Sequence, residues 1–193
     1  ANPTDQKFEP VGHDKIWRFS NDEGETISIF QNKITVTQNK YNSWSKNDIG
    51  DGFKDLIELT IENFNKIWET QQFTRIGLRY INNYEYQCSE LKTDEFTSRF
   101  NPLFDIIKYP TEKLIESQIR LRKKCDNERI LTIMSGIQFH NDAIVYILDF
   151  DSFKEEINRT DLSNELELLH DNIICEFKQL TTKKLRKEMN IDE

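Results

Sequence analysis

The chain is acidic and rich in large apolar residues: its 193 residues carry a formal net charge of −8, and 36% of them are apolar, including 13 phenylalanines. A chain of this length can bury most of its apolar surface, so we expect one folded domain with a bulky aromatic core. The acidic balance argues against a duplex-binding protein, which presents a basic patch or stripe, and no apolar run approaches the ~20 residues of a membrane span.

The cysteines indicate a reducing compartment. Cys88, Cys125 and Cys175 are odd in number, far apart in the chain and without the paired spacing of a metal site or a disulfide framework. The chain also begins without a signal-peptide pattern. We therefore expect a cytoplasmic protein with free thiols.

Three short strands and one long helix are predicted in the first part of the chain. The strands are expected at 16–19, 26–30 and 34–38, where β-branched and aromatic residues lie between turn residues. Apolar residues then recur at three- and four-residue steps over 53–68, which predicts an amphipathic helix with Asp51 as its N-cap.

The segment 75–82 predicts a central strand with two different faces. Because side chains alternate along a strand, one face is apolar and carries Ile76, Leu78 and Tyr80. The other face carries Arg75 and Arg79 about 13 Å apart, with a glycine between them that permits a close approach to the backbone. The two arginines either pair with carboxylates of neighbouring strands or line an anion site.

Three further strands and a second long helix are predicted in the last part of the chain. After a short helix within 90–100, the strands are expected at 114–122, 130–136 and 143–150. Thr160 or Asp161 is expected to cap the final helix, whose predicted buried stripe is Leu162, Leu166, Leu169, Ile173, Phe177 and Leu180. Thr181 and Thr182 are expected to interrupt this helix before a last basic turn.

The order of elements predicts an α+β fold of two layers. We expect an antiparallel sheet of about seven strands in two meanders, covered by two long amphipathic helices, in a single domain over 1–193. The similar order of strands and helix in 16–82 and 114–180 raises the hypothesis of an internal repeat.

Several segments resemble an uncharacterised, sporadically distributed prokaryotic family, a TIGR family of conserved hypothetical proteins. The matching segments occur in the family's order and spacing along nearly the whole chain, and they are 17–24, 41–44, 75–82, 148–151 and 169–181. Family members carry an additional N-terminal segment of Pro-rich and strand-like sequence that is missing here, so the resemblance leaves the edge of the first sheet open. It implies no established activity; the patchy distribution of the family is typical of mobile, defence-associated or toxin-control genes.

Two aspartates and two further arginines are candidate site residues. Asp149 and Asp151 share one face of the strand that is expected to end near Phe150. Carboxylates at this spacing hold Mg²⁺ in some enzymes, but they also pair with arginines across a sheet or form turns. Arg120 and Arg122 likewise share a face, so four arginines of two strands either form an anion-binding face or a salt-bridged outer surface.

His170 is a further candidate, because it lies beside the apolar stripe of the last helix, where a partly buried, locally hydrogen-bonded histidine is the alternative to a catalytic one. The sequence has no nucleophile elbow, phosphate loop or dinucleotide motif, so it predicts no catalytic residue, cofactor or metal. We expect a non-enzymatic binding or interaction protein with a protein partner or a small anionic ligand. The alternative is an enzyme or binding protein that uses the arginines and aspartates on a phosphorylated small molecule.

Overall fold

The computed structural model describes residues 16–39, 43–45, 52–86, 93–101, 116–139 and 143–189. The chain divides into two compact units, Ala1–Thr70 and Gln71–Glu193, and each is described by itself. The predicted cap Asp51 and the predicted free thiol Cys88 lie outside the described residues. In the described part, no helix has both the length and the apolar composition that a bilayer span requires.

Over 16–39, 43–45 and 52–70, the first unit forms a three-stranded antiparallel sheet and one helix. The strands are β1 (Trp17–Ser20), β2 (Glu25–Ile29) and β3 (Ile34–Gln38), in the order β1-β2-β3. Between β1 and β2 the Asn21 side chain accepts hydrogen bonds from the backbone N–H groups of Glu23 and Glu25, and Gly24 has a φ of +83°, which favours glycine.

The helix of the first unit, α1 (Phe53–Asn65), begins after a glycine that has no room for a side chain. A Cβ atom on Gly52 would lie 2.4 Å from the carbonyl oxygen of Trp44, and the Gly52 N–H donates to Asp55 Oδ2 at 2.9 Å. The helix ends three residues before the predicted Trp68, where Asn65 Oδ1 accepts a hydrogen bond from the Thr70 N–H. Between these residues the Ile67 and Trp68 N–H groups both donate to the Phe64 carbonyl oxygen, so the chain leaves the helix through a turn.

In its described residues, the second unit consists of a four-stranded antiparallel sheet and three helices. Its strands are β4 (Gln72–Tyr86), β5 (Glu116–Lys124), β6 (Arg129–Phe139) and β7 (Ile144–Asn158), in the order β4-β7-β6-β5. Its helices are α2 (Thr93–Arg99), α3 (Leu162–Leu180) and α4 (Lys183–Glu188), and a 3₁₀ turn over Arg159–Asp161 precedes α3.

Helix α3 covers one face of this sheet and closes the core. All six residues of the predicted stripe are buried, and the Phe177 ring lies 6.2 Å from that of Phe150 on β7. Beside α3, Phe96 of α2 and Phe100 pack edge-on against Tyr146, at 4.9 and 4.6 Å between ring centroids. The core of the second unit is therefore aromatic, as the composition predicts.

The α+β class and the seven antiparallel strands are confirmed, with the strands divided between sheets of three and four. Besides the end of α1, two local expectations are wrong. The strand with Arg75 and Arg79 lies at the end of the described strand order and is not central. Strand β7 continues to Asn158, so Asp149 and Asp151 lie within the strand and do not form a turn. The hypothesis of an internal repeat stays a prediction.

Candidate functional site

The candidate site is the face of the four-stranded sheet that points away from α3, and we call it the arginine face. Directly paired residues of antiparallel strands share a face, and Arg79 pairs with Asp151, Asp151 with Thr132, and Thr132 with Arg122. The neighbouring row adds Asp149 and Arg120. Six of the seven candidate residues predicted from the sequence therefore lie on one surface. Whether that surface binds an anion stays a prediction.

A bidentate ion pair lies at the centre of the arginine face. Arg79 Nε lies 2.8 Å from Asp149 Oδ1, and Arg79 Nη2 lies 2.5 Å from Asp149 Oδ2. The Asp149 side chain is only 7% exposed, whereas that of Arg79 is 57% exposed. The hydrogen bond to Asp149 raises the pKa of Arg79 above its ordinary value, although partial burial of the guanidinium opposes that increase.

Gly77 leaves the space that allows Arg75, the other arginine of this face on β4, to contact Asp151. Arg75 Nη2 lies 3.2 Å from Asp151 Oδ2, although Arg75 is paired in register with Glu155 and not with Asp151. The guanidinium reaches Asp151 by lying over Gly77, where a Cβ atom would be 3.6 Å from Arg75 Nη2 and 3.5 Å from Asp151 Oδ1. The close approach predicted at this glycine is thus made by the chain's own arginine.

Phe153 connects the arginines of the two outer strands, and the sequence analysis missed it. Its ring centroid lies 4.2 Å from Arg75 Cζ and 5.4 Å from Arg122 Cζ, so both guanidinium groups contact the same aromatic side chain. Phe153 is only 7% exposed. The alternation Asp149, Asp151, Phe153 would have identified it if the strand had been extended beyond Phe150.

Arg120 and Arg122 give the centre of the face its excess of positive charge. Both are exposed, and neither forms an ion pair with a carboxylate among the residues that the structure describes. The remaining described acidic residues of this face are Glu85 and Glu116 at one end and Glu155, which is paired in register with Arg75, toward the other. Four arginines and two aspartates therefore occupy the middle of the surface.

His170 does not belong to this surface. It lies on α3, on the other side of the sheet, with its ring 6.0 Å from that of Tyr80 in an edge-on arrangement. Burial lowers the pKa of His170 below 6.5, although the nearby carboxylates of Asp171 and Glu167 oppose that decrease. The histidine and the arginine–aspartate pairs therefore do not form one catalytic arrangement.

A second ionic cluster fastens the start of α3 to the sheet, and the sequence analysis missed it too. Glu165, whose side chain is 6% exposed, accepts hydrogen bonds at 3.0 Å from Arg129 Nε, Arg129 Nη2 and Lys154 Nζ. Lys154 also lies 2.7 Å from a carboxylate oxygen of Glu128. The sequence signal that could have revealed this cluster is Glu165 itself, which lies beside the apolar stripe of α3. A glutamate at that position becomes buried, and a buried carboxylate requires a charged or hydrogen-bonding partner.

Known proteins add no assignment to this geometry: comparisons with family models, with curated proteins and with solved structures find no match. The family resemblance of segments such as 75–82 stays a prediction. In the described ranges, no three His, Cys, Asp or Glu side chains come together as metal ligands.

Proposed function

We propose that the protein is a non-enzymatic binding protein and that the arginine face binds an acidic surface of a protein partner. The observation that carries this proposal is the exposed arginine excess at the centre of the face. Arg79 and Arg75 are held by aspartates, whereas Arg120 and Arg122 have no described carboxylate partner. An exposed surface with this excess attracts and orients an acidic surface through complementary charge.

Binding suits this surface better than catalysis because its carboxylates are already engaged. Both oxygens of Asp149 accept hydrogen bonds from Arg79, and both oxygens of Asp151 lie within 3.5 Å of Arg75 Nη2. A metal ion or a substrate proton would have to displace an arginine from each carboxylate. The aspartates instead fix the positions of two guanidinium groups, which reduces the entropy that these side chains lose on binding.

The shape of the face favours a protein partner over a small molecule or a nucleic acid. A four-stranded sheet face is a broad surface about 14 Å wide, whereas small ligands are held in concave pockets. Arginine is enriched in protein interfaces because its planar group forms several hydrogen bonds and stacks on aromatic rings. A nucleic acid is disfavoured because its extended phosphate backbone would meet the carboxylates of Glu85, Glu116 and Glu155 around the arginines.

The test uses a fluorescein-labelled peptide of ten glutamates as an acidic protein segment, with binding followed by fluorescence anisotropy at low salt. We expect the double variant Arg120→Gln/Arg122→Gln to weaken binding about tenfold, because two exposed charges are lost at the binding surface. The matched control, Lys183→Gln/Lys187→Gln on α4, removes the same charge from exposed positions elsewhere in the unit.

Equal weakening by both double variants would show that the peptide responds only to net charge and would overturn the proposal. Displacement of the peptide by inorganic phosphate at low millimolar concentration would instead favour the alternative, a site for a phosphorylated small molecule.

A further inference from the structure

The three-stranded sheet of the first unit also has a polar face, and its composition differs from that of the arginine face. The register places Arg18, Ser28 and Thr35 in one row and Ser20, Thr26 and Thr37 in the next. Phe30 and Lys33 follow at the β2–β3 turn, where Lys33 Nζ lies 4.5 Å from the centre of the Phe30 ring. We call this surface the hydroxyl face.

The opposite face of the same sheet is apolar and belongs to the helix. It carries Phe19, Ile27, Ile29 and Ile34, which line a groove together with Leu56 and Phe64 of α1. The strands therefore separate their side chains strictly by alternation, with one face against α1 and the other face free of α1.

Among the residues that the structure describes, the hydroxyl face is a shallow depression that carries hydrogen-bond donors and no carboxylate. A cavity of about 510 Å³ is lined by two cations, five hydroxyl-bearing residues and one aromatic ring: Arg18, Lys33, Ser20, Thr26, Ser28, Thr35, Thr37 and Phe30. No Asp or Glu of the described ranges belongs to this lining. In the described part of the chain, Arg18 forms no ion pair that would occupy its guanidinium.

The geometry points to a binding site for a phosphate group. A phosphate has several acceptor oxygens and a negative charge, so it suits guanidinium, ammonium and hydroxyl donors that have no competing carboxylate. From strand spacing and residue rise, the Cβ atoms of Arg18 and Lys33 are about 12 Å apart. Their long side chains reach one phosphate held between them, or two successive phosphates of a single-stranded nucleic acid. Ser28, 7% exposed between Arg18 and Thr35, forms the floor.

This site is independent of the arginine face, because it lies in the other unit and takes a different ligand. The experiment follows backbone amide NMR shifts of the full chain during titration with inorganic phosphate and, separately, with a ten-residue oligothymidylate. We expect saturable shifts centred on Thr26, Ser28 and Thr35. An oligothymidylate that binds tenfold more tightly than phosphate assigns the phosphate to a nucleic acid, and similar affinities assign it to a small phosphorylated molecule.

Variants separate this site from a general effect of charge. We expect Arg18→Gln to weaken phosphate binding tenfold or more, and Thr35→Val, which removes only the hydroxyl, to weaken it about threefold. The control Lys66→Gln removes an exposed cation directly after α1. Its ammonium group donates to Asn63 and lies off the hydroxyl face, so this change should alter the affinity less than twofold. Because Arg18 and Thr35 are exposed, both variants should keep the dispersed spectrum of the folded chain.

Two outcomes would overturn the inference. One is the absence of saturable shifts on the hydroxyl face up to 50-fold molar excess of oligothymidylate and about 50 mM phosphate, which is beyond the millimolar range of weak binding. The other is equal weakening by Arg18→Gln and Lys66→Gln. The variant Arg120→Gln/Arg122→Gln should leave phosphate binding here unchanged, so a failure of the proposed partner surface would not be mistaken for a failure of this site.

Discussion

Replacement of Arg79 by methionine tests whether its pair with Asp149 stabilises the fold. Methionine keeps an apolar stem over the sheet but removes the guanidinium, so Asp149, 7% exposed, loses two charged hydrogen bonds. Loss of one partner of a fully buried pair costs about 3–5 kcal/mol. Arg79 is more than half exposed, however, and water can enter when it is removed, so we expect a decrease of about 1–3 kcal/mol in the free energy of unfolding.

The assay is urea denaturation at pH 7, followed by circular dichroism, because the chain's tryptophans Trp17, Trp44 and Trp68 all lie in the first unit. Arg120→Met is the matched control, because it removes the same group from the same face without leaving a described carboxylate unpaired. That control should change the unfolding free energy by less than about 0.5 kcal/mol. Equal effects of the two substitutions would refute the reasoning. A double-mutant cycle with Asp149→Asn should then give a coupling energy near zero.

Three further predictions concern other contacts of the second unit. Glu165→Gln should lower the unfolding free energy by about 2–3 kcal/mol in the same assay, because Arg129 and Lys154 lose their shared carboxylate; a loss below about 0.5 kcal/mol would contradict this. Burial lowers the pKa of His170 below 6.5, so the imidazole of the unfolded chain binds a proton more readily than that of the folded chain, and the unfolding free energy should fall as pH decreases below about 6.5. His170→Gln should make this fall smaller, as measured by denaturation at pH 7.5 and 5.5. Gly77→Val should separate Arg75 from Asp151 with little loss of stability, because this exposed ion pair contributes less than about 1 kcal/mol. Gly77→Ala is the control that keeps the ion pair, and the NMR signals of the Arg75 side chain show whether the pair is formed.

Elements with a strong periodic signal could be predicted from the sequence. The stripe of α3 from Leu162 to Leu180 is buried at all six expected positions, because a 19-residue amphipathic helix has only one face that can be removed from water. The early end of α1 could not be predicted in the same way. There the chain leaves the helix through a turn after Asn65, while Ile67 and Trp68 continue the apolar spacing but remain largely exposed.

The arginine face was only partly predictable, because it depends on the length and order of strands. Alternation alone places Arg75 with Arg79 and Asp149 with Asp151. It does not place these pairs next to each other, since the β4–β7 pairing joins residues about 70 positions apart in the chain. The charged residues after Phe150 suggested the end of a strand, but β7 continues because Ile157 is buried and pairs with Phe73. Long-range pairing overrides such local signals.

The ion pairs at the centre of the arginine face also determine how binding of an acidic partner depends on salt and on association rate. Asp149 lies beneath Arg79 and is nearly buried, so an incoming carboxylate meets a guanidinium whose position is already fixed and whose charge is partly balanced. Arg120 and Arg122 lack that balance and supply the net attraction. The affinity for an acidic partner should therefore decrease steeply with added salt, mainly because association becomes slower. Exposed charges increase the rate at which two proteins meet in the right orientation. At 0.1 M ionic strength, these charges are screened beyond about 10 Å. Arg79→Met should alter stability more than association rate, and Arg120→Gln/Arg122→Gln should do the reverse.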